Sequence, residues 1–198
     1  MAIAASETQE RILDAALEGF ARDGVAATSI RDVASSAGVS PGLVQHYFPS
    51  KAALHDAVDE HVKEIARDAL GLHEFEGDLV EDLAERLTAL VAENFVALRY
   101  VARGVAEADA AALSIFDTIT QLVRDQLAEL QRRKMLRADL DLDWAALHTV
   151  LINLGTVIME PGVSDQLGKP FLTKRQVERW KVATTKLFVE GEIRQNGG

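Results

Sequence analysis

Thr28 to Lys51 reads TSIRDVASSAGVSPGLVQHYFPSK, and this stretch decides how the rest of the chain is understood. Ser29 and Asp32 stand at capping-box spacing, and Ile30, Val33 and Ala34 supply an apolar stripe, so a short helix begins there. Gly38 ends it, because glycine readily adopts the left-handed conformation such a stop needs. A second helix follows at once. Ser40 is its N-cap, Pro41 suits the first helical position, and Val39 with Val44 hold the spacing of a hydrophobic staple. Two capped helices this short bury little core alone, so they display a face: Pro41, Gly42, Leu43, Gln45 and His46, with Tyr47 and Lys51 close behind. The pattern predicts a helix-turn-helix whose second helix has the makeup of a DNA reader.

Outward from this core the chain reads as helix throughout, with four prolines and no strand-period run of β-branched residues. Towards the N-terminus, Ile12, Leu13, Ala16, Leu17 and Phe20 form one stripe, predicting a helix over about Ser6–Asp23 that Gly24 stops. Towards the C-terminus, a helix opens near Ser50 with Leu54, Val58, Val62 and Ile65 on one side. Gly71 to Gly77 is a turn-like boundary. Beyond it, Leu79 to about Ala106 predicts one or two helices that bury Leu83, Leu87, Leu90, Val91 and Phe95. Asp109 to Lys134 is another, built on Leu113, Phe116, Ile119, Thr120, Val123, Leu127 and Leu130, with cations on its last turn. Asp143 to Glu160 is helical with hardly any polar face. Glu160-Pro161-Gly162 breaks it, a loop runs to Pro170, and a final helix covers about Thr173–Glu190.

Composition narrows the chemistry. The 198 residues contain no cysteine, so disulfides and thiolate metal sites are excluded. The N-terminus MAIAASETQE lacks the basic-then-apolar order of a signal peptide. The longest uncharged run, between Asp143 and Glu160, falls short of the roughly 20 residues that span a bilayer, so no membrane partner and a cytoplasmic location are expected. Net charge is -10, which by itself disfavours nucleic acid. Between Gly24 and His55, however, Arg31 and Lys51 face Asp32 alone. Positive charge sits only where phosphates would come, so affinity would rest on shape and base contacts.

Arg31 is the cation best placed for a guanine edge or a phosphate, unless it pairs with Asp32 or Asp59. Gln45 can pair with adenine, Gly42 allows close backbone approach, and Thr28, Ser29 and Ser40 offer donors at helix starts. His46 can stack, bond a phosphate or simply be solvated. A metal reading of His55 and His61 with Asp56, Asp59 and Glu60 is set aside, because six residues apart on a helix is the wrong face. Glu107 and Asp109 lack a nucleophile nearby. No P-loop, dinucleotide fingerprint or Ser-His-Asp spacing exists, so neither an enzyme nor a cofactor is expected. In the second half, Phe95, Arg99, Tyr100, Phe116, Thr120, His148 and Asn153 stand on otherwise apolar faces. Each reads either as ordinary packing or as the lining of a pocket.

Residues 11 to 63 resemble the DNA-binding domain of the TetR family of transcriptional regulators. The matching words are RILDAALEGFARDG, then TSIRDVASSAGVS, then PGLVQHYFPSKAAL, in that order. Leu43 stands where a threonine is frequent and Gln45 where a tyrosine is frequent, so no operator contact is carried over at those two positions. The resemblance implies an all-α chain. Residues 1–50 would be a three-helix helix-turn-helix domain, and 51–198 a ligand-binding and dimerisation domain reached by a linking helix over about 50–70. Tyr47 and Lys51 would touch phosphates. The last two long helices would pair with their symmetry mates through Trp144, Leu147, Leu151, Leu154, Gly155, Ile158, Trp180, Leu187 and Phe188. The alternative for 143–160 is the core helix of a monomer. The implied function is a homodimeric regulator, most often a repressor, released from a near-palindromic operator by a small, largely hydrophobic effector. An activator of the same fold, or a helical ligand-binding dimer without DNA binding, are its rivals.

Overall fold

In the computed structural model, residues 2–71 and 91–192 are described, with side chains for 6–71 and 91–187. Those residues form helices α1 (Ala2–Asp23), α2 (Ile30–Ala37), α3 (Pro41–Tyr47), α4 (Lys51–Leu70), α5 (Phe95–Ala106), α6 (Ala110–Arg132), α7 (Leu142–Ile158), α8 (Glu160–Leu167) and α9 (Lys174–Glu192), and no strand is present among them. The chain divides into two compact units, Met1–Ile65 with Val96–Phe116, and Ala66–Phe95 with Asp117–Gly198. The cut at residues 50–51 does not coincide with this division, which keeps residues 51–65 of α4 with the N-terminal helices. Most of the Gly71–Gly77 boundary, and the helical stretch expected from Leu79 to Leu90, lie outside the described residues.

In the first unit, α1 buries Ile12, Leu13, Ala16, Leu17 and Phe20, as its periodicity predicts. It ends where Gly24 turns into the left-handed region at φ 89°. Helix α4 starts on the Ser50 hydroxyl, which accepts the Ala53 N–H at 3.0 Å, and sends Leu54, Val58 and Val62 inward. Helices α5 and α6 meet at Gly104. A Cβ there would lie 2.4 Å from that of Ala112, so only hydrogen fits.

The second unit is built on Ile119, Val123, Leu127 and Leu130 of α6, with Ala146, Val150, Leu154 and Val157 of α7 and the ring of Phe171 also buried. Two expectations are corrected. Leu113 is 41% exposed, and Ala112 and Ile115 are the buried positions of that turn. The expected loop after Glu160 opens instead as helix α8, bent 74° from α7, because a proline in the first turn suits a helix start as well as it ends the preceding one. Among the described residues no single helix is long and apolar enough to cross a membrane.

Candidate nucleic-acid interface and assembly surface

The turn between α2 and α3 is held by local hydrogen bonds. The Ser29 hydroxyl accepts the Asp32 N–H at 3.2 Å, and the Asp32 carboxylate accepts the Ser29 N–H at 2.8 Å and its hydroxyl at 2.6 Å. These bonds to the charged form hold the Asp32 carboxyl below the ordinary carboxylate range. Gly38 stands at φ 66°, and the Val39 N–H reaches back to the Ala34 carbonyl at 2.9 Å. Arg11 of α1 donates from Nη2 to the Ala37 carbonyl, closing the end of α2 from outside. Ser40 then caps α3 by accepting the Leu43 N–H at 3.2 Å.

Helix α3 is anchored by Val44, which is fully buried, and followed by the buried ring of Phe48. Its other side is open to solvent. Pro41, Gly42, Gln45 and His46 are exposed, Leu43 and Tyr47 half-exposed, and the His46 and Tyr47 rings meet edge-on at 5.6 Å. Arg31 is exposed on α2 and makes no hydrogen bond or ion pair among the described residues. Lys51 differs: its Nζ donates to the Ala26 carbonyl at 3.0 Å. Thr28 does not belong to this face. It is buried, its hydroxyl donates to the Gly24 carbonyl at 3.0 Å, and its methyl packs over Gly19, so it shapes the turn. The hydroxyls of Ser29 and Ser40 are likewise used as caps.

Three residues expected around a pocket are placed elsewhere. Tyr100 is buried in the first unit and donates its hydroxyl to Asp59 Oδ1 at 2.5 Å. Burial pushes the Tyr100 hydroxyl upward first, with the Asp59 bond adding to it, and burial also raises the Asp59 carboxyl. Arg99 is exposed, and His148 is exposed on α7 with its ring 5.5 Å from that of Trp144. Phe95, Phe116 and Thr120 are half-buried. Of the remaining four, only Asn153 is buried, at 4% exposure. Its Nδ2 donates to the Thr149 carbonyl at 2.7 Å, while its Oδ1 has no partner among the described residues.

The acidic cluster on α4 comes together without His61. Ligand atoms of His55, Asp56 and Asp59 lie within 4.8 Å of one another, while His61 turns to Asp14 at 3.8 Å. Asp59 is already engaged by Tyr100, and His55 stands edge-on to both Phe20 and Tyr100. Of the other carboxylates, Glu107 pairs with Arg103 at 3.0 Å, and Asp109 caps α6.

Helix α7 leaves a row of large apolar side chains in solvent: Trp144 at 57%, Leu151 at 51% and Ile158 at 51%. These positions are seven apart, so they share a face, and Gly155 on the same side has no described atom within 4 Å of its would-be Cβ. Leu187 of α9 is exposed too. Leu147 is half-buried. Leu154 is corrected to the protomer's own core: it flanks the exposed row, yet it is only 4% exposed. Trp180 is half-buried, edge-on to Phe171 at 6.1 Å, and the Phe188 side chain lies outside the described residues.

Sequence reading missed Arg103. From α5 it donates to the carbonyls of Arg22 at 3.0 Å and Asp23 at 3.3 Å, some eighty positions earlier. No local pattern announces a partner at that distance.

Comparison with known proteins agrees with this geometry. Residues 12–58 match the model of the bacterial regulatory proteins of the tetR family. The chain is 28% identical over 148 residues to the transcriptional regulator UidR of Escherichia coli K12, covering 69% of this chain and 73% of that one. It is 32% identical over 96 residues to the transcriptional repressor KstR2 of Mycolicibacterium smegmatis, covering 46% and 43%. A solved structure concerned with control of antibiotic production by bacterial hormones aligns over 95% of this chain and 98% of that one, at 27% identity and a TM-score of 0.69. The matched relatives are regulators of transcription rather than enzymes.

Proposed function

We propose that this chain, which belongs to the TetR family of transcriptional regulators, is a homodimeric repressor of a near-palindromic operator released by a small, largely hydrophobic effector. The observation that carries the reading is α3, pinned from beneath by Val44 while Pro41, Gly42, Gln45 and His46 face outward. Gln45 would read an adenine edge, Arg31 a guanine or phosphate, and Leu43 would touch apolar base surface. Tyr47, Lys51 and the amide-rich starts of α2 and α3 at Ser29 and Ser40 would take phosphates. Residues 1–50 would thus be the DNA-binding part, α4 the link, and 51–198 the part for ligand and assembly, working where the DNA is.

The dimer is supported by the Trp144, Leu151 and Ile158 row, to which Leu147, Gly155, Trp180, Leu187 and Phe188 would add. A homodimer reading two half-sites would need its two α3 helices about 34–36 Å apart. A repressor is supported by the name of the KstR2 relative, and a small effector by the structure concerned with bacterial hormones. Asn153, whose Oδ1 is unpaired among the described residues, would orient a hydroxyl or N–H of that effector, with Thr120 and Phe95 as further candidates in the same unit. An effector that favours the DNA-incompetent state by about 1.4 kcal/mol per dimer weakens operator binding tenfold, and the operator weakens the effector equally.

The test is retardation of DNA beside the chain's own gene by the pure protein. The wild type should shift it at nanomolar concentration as a dimer, and a Gln45→Ala, Tyr47→Ala double variant should not. Equal affinity of the two would overturn the reading of α3.

A further inference from the structure

We infer that Arg103 is the positioning residue through which α5 sets the angle of the DNA-reading helix. The inference rests on the operator-binding reading above. The last carbonyls of a helix have no partner within it, and that end carries partial negative charge. At the end of α1 both needs are met from α5: Arg103 Nη1 donates to the Arg22 carbonyl at 3.0 Å and Nη2 to the Asp23 carbonyl at 3.3 Å. A planar guanidinium can span two carbonyls at once, whereas a lysine ammonium offers a single point.

The seat is shaped for the group from the other side as well. A Cβ on Gly24 would lie 3.1–3.3 Å from the guanidinium Nη2, Nε and Cζ. Gly24 therefore leaves the room that Arg103 fills, besides taking the left-handed turn at φ 89°. Glu107, just past the end of α5, accepts from Arg103 Nε at 3.0 Å and aims the fork.

From that joint the ties continue towards the reading head. Arg11 of α1 donates to the Ala37 carbonyl, the last residue of α2, beside the Gly38 turn that leads to Ser40 and α3. One turn before Arg103, Tyr100 holds α4 through Asp59 at 2.5 Å. Helix α5 thus grips the helices on either side of the helix-turn-helix. With Tyr100 undisturbed, loss of the Arg103 fork should free α1 alone. Each α3 would then sample a range of angles instead of one, and the dimer would lose its preference for one half-site separation.

The experiment uses an operator selected from random duplexes by the wild-type dimer, versions of it with one base pair more or fewer between half-sites, and a single half-site. Arg103→Ala and Arg103→Lys are compared with wild type on each by fluorescence anisotropy. Affinity for the selected operator is expected to fall about tenfold and the spacing preference to flatten, with half-site affinity within about twofold of wild type. Arg103→Lys keeps the charge and the Glu107 pair, so it is read if Arg103→Ala does not fold. An unchanged spacing profile overturns the proposal. So does an equal loss on operator and half-site, which is general damage to the fold. If the wild type selects no duplex at all, the DNA-binding reading falls first and takes this one with it. If it selects an operator that Arg103→Lys binds as well as wild type, only this one falls.

Discussion

Helices α3 and α7 each leave a face uncovered, and the two faces are opposite in kind. Helix α3, Pro41–Tyr47, buries Val44 and shows solvent small and polar groups. Helix α7, Leu142–Ile158, buries Ala146, Val150, Leu154 and Val157 and still shows Trp144, Leu151 and Ile158. A polar face rests in water at little cost, so its partner can come and go. An apolar face costs about 25 cal/mol for every Å² it leaves wet, which argues for a partner that stays. The contrast predicts a permanent protein contact at α7 and a conditional, salt-dependent one at α3.

The hardest blow to that contrast is a charge in the α7 row. Trp144→Glu or Leu151→Glu should leave the protomer folded, since both side chains are exposed in it, yet convert dimers to monomers in sedimentation, because an unpaired carboxylate would be buried at the seam. A wild type that is monomeric at micromolar concentration would remove the permanent half of the comparison.

Next in size is the polar face. Gln45→Ala should cost about 1–3 kcal/mol on the preferred operator and little on a substituted one, if its contact is bidentate. Arg31→Ala should lower the slope of log affinity against log salt by about one unit. Lys51→Ala should change that slope less than Arg31→Ala, because its ammonium already serves the Ala26 carbonyl. Titrations at several salt concentrations separate these outcomes.

A smaller effect comes from the capping box that starts α2. Ser29→Ala should cost about 0.5–2 kcal/mol, read from chemical denaturation at pH 7. The Asp32 carboxyl is depressed in the fold, so its contribution is present above the unfolded value near about 3.9 and is lost as pH falls through the lower folded value. The gap between wild type and Ser29→Ala should therefore narrow in strong acid, leaving the part that comes from the Asp32 N–H bond to the Ser29 hydroxyl.

The smallest concerns Asp59. Its carboxyl is raised by burial, so the fold binds the proton more tightly than the unfolded chain does. That favours folding at low pH, and the advantage fades as pH rises from the unfolded value through the folded one. Asp59→Asn keeps an acceptor for Tyr100 and removes the ionisation, so its melting temperature relative to wild type should climb with pH across that window. A difference independent of pH would show that burial does not govern this group.

Much of the first unit was legible because its signals are local. Ser29, Asp32, Gly38, Ser40 and Pro41 act within four residues of their own positions, and their hydrogen bonds stand where spacing alone puts them. Thr28 was misjudged because its hydroxyl could face either way, and Gly19 beside it offered the space that drew it inward. Tyr100 and His148 were harder still. On nearly apolar helices, periodicity does not tell the covered side from the open one. The neighbours decided that, giving Asp59 to one and Trp144 to the other.

The sequence by itself determined an all-helical chain, the ends of its first helices and the residues that α3 presents, because capping and turn chemistry are satisfied within a few residues. Only the tertiary structure decided that Leu154 faces inward while Leu151 does not, that Glu160-Pro161 starts a helix, and that Arg103 closes the end of α1. Those outcomes depend on which distant group fills a given space. A hydrogen bond across eighty residues leaves no mark in local spacing.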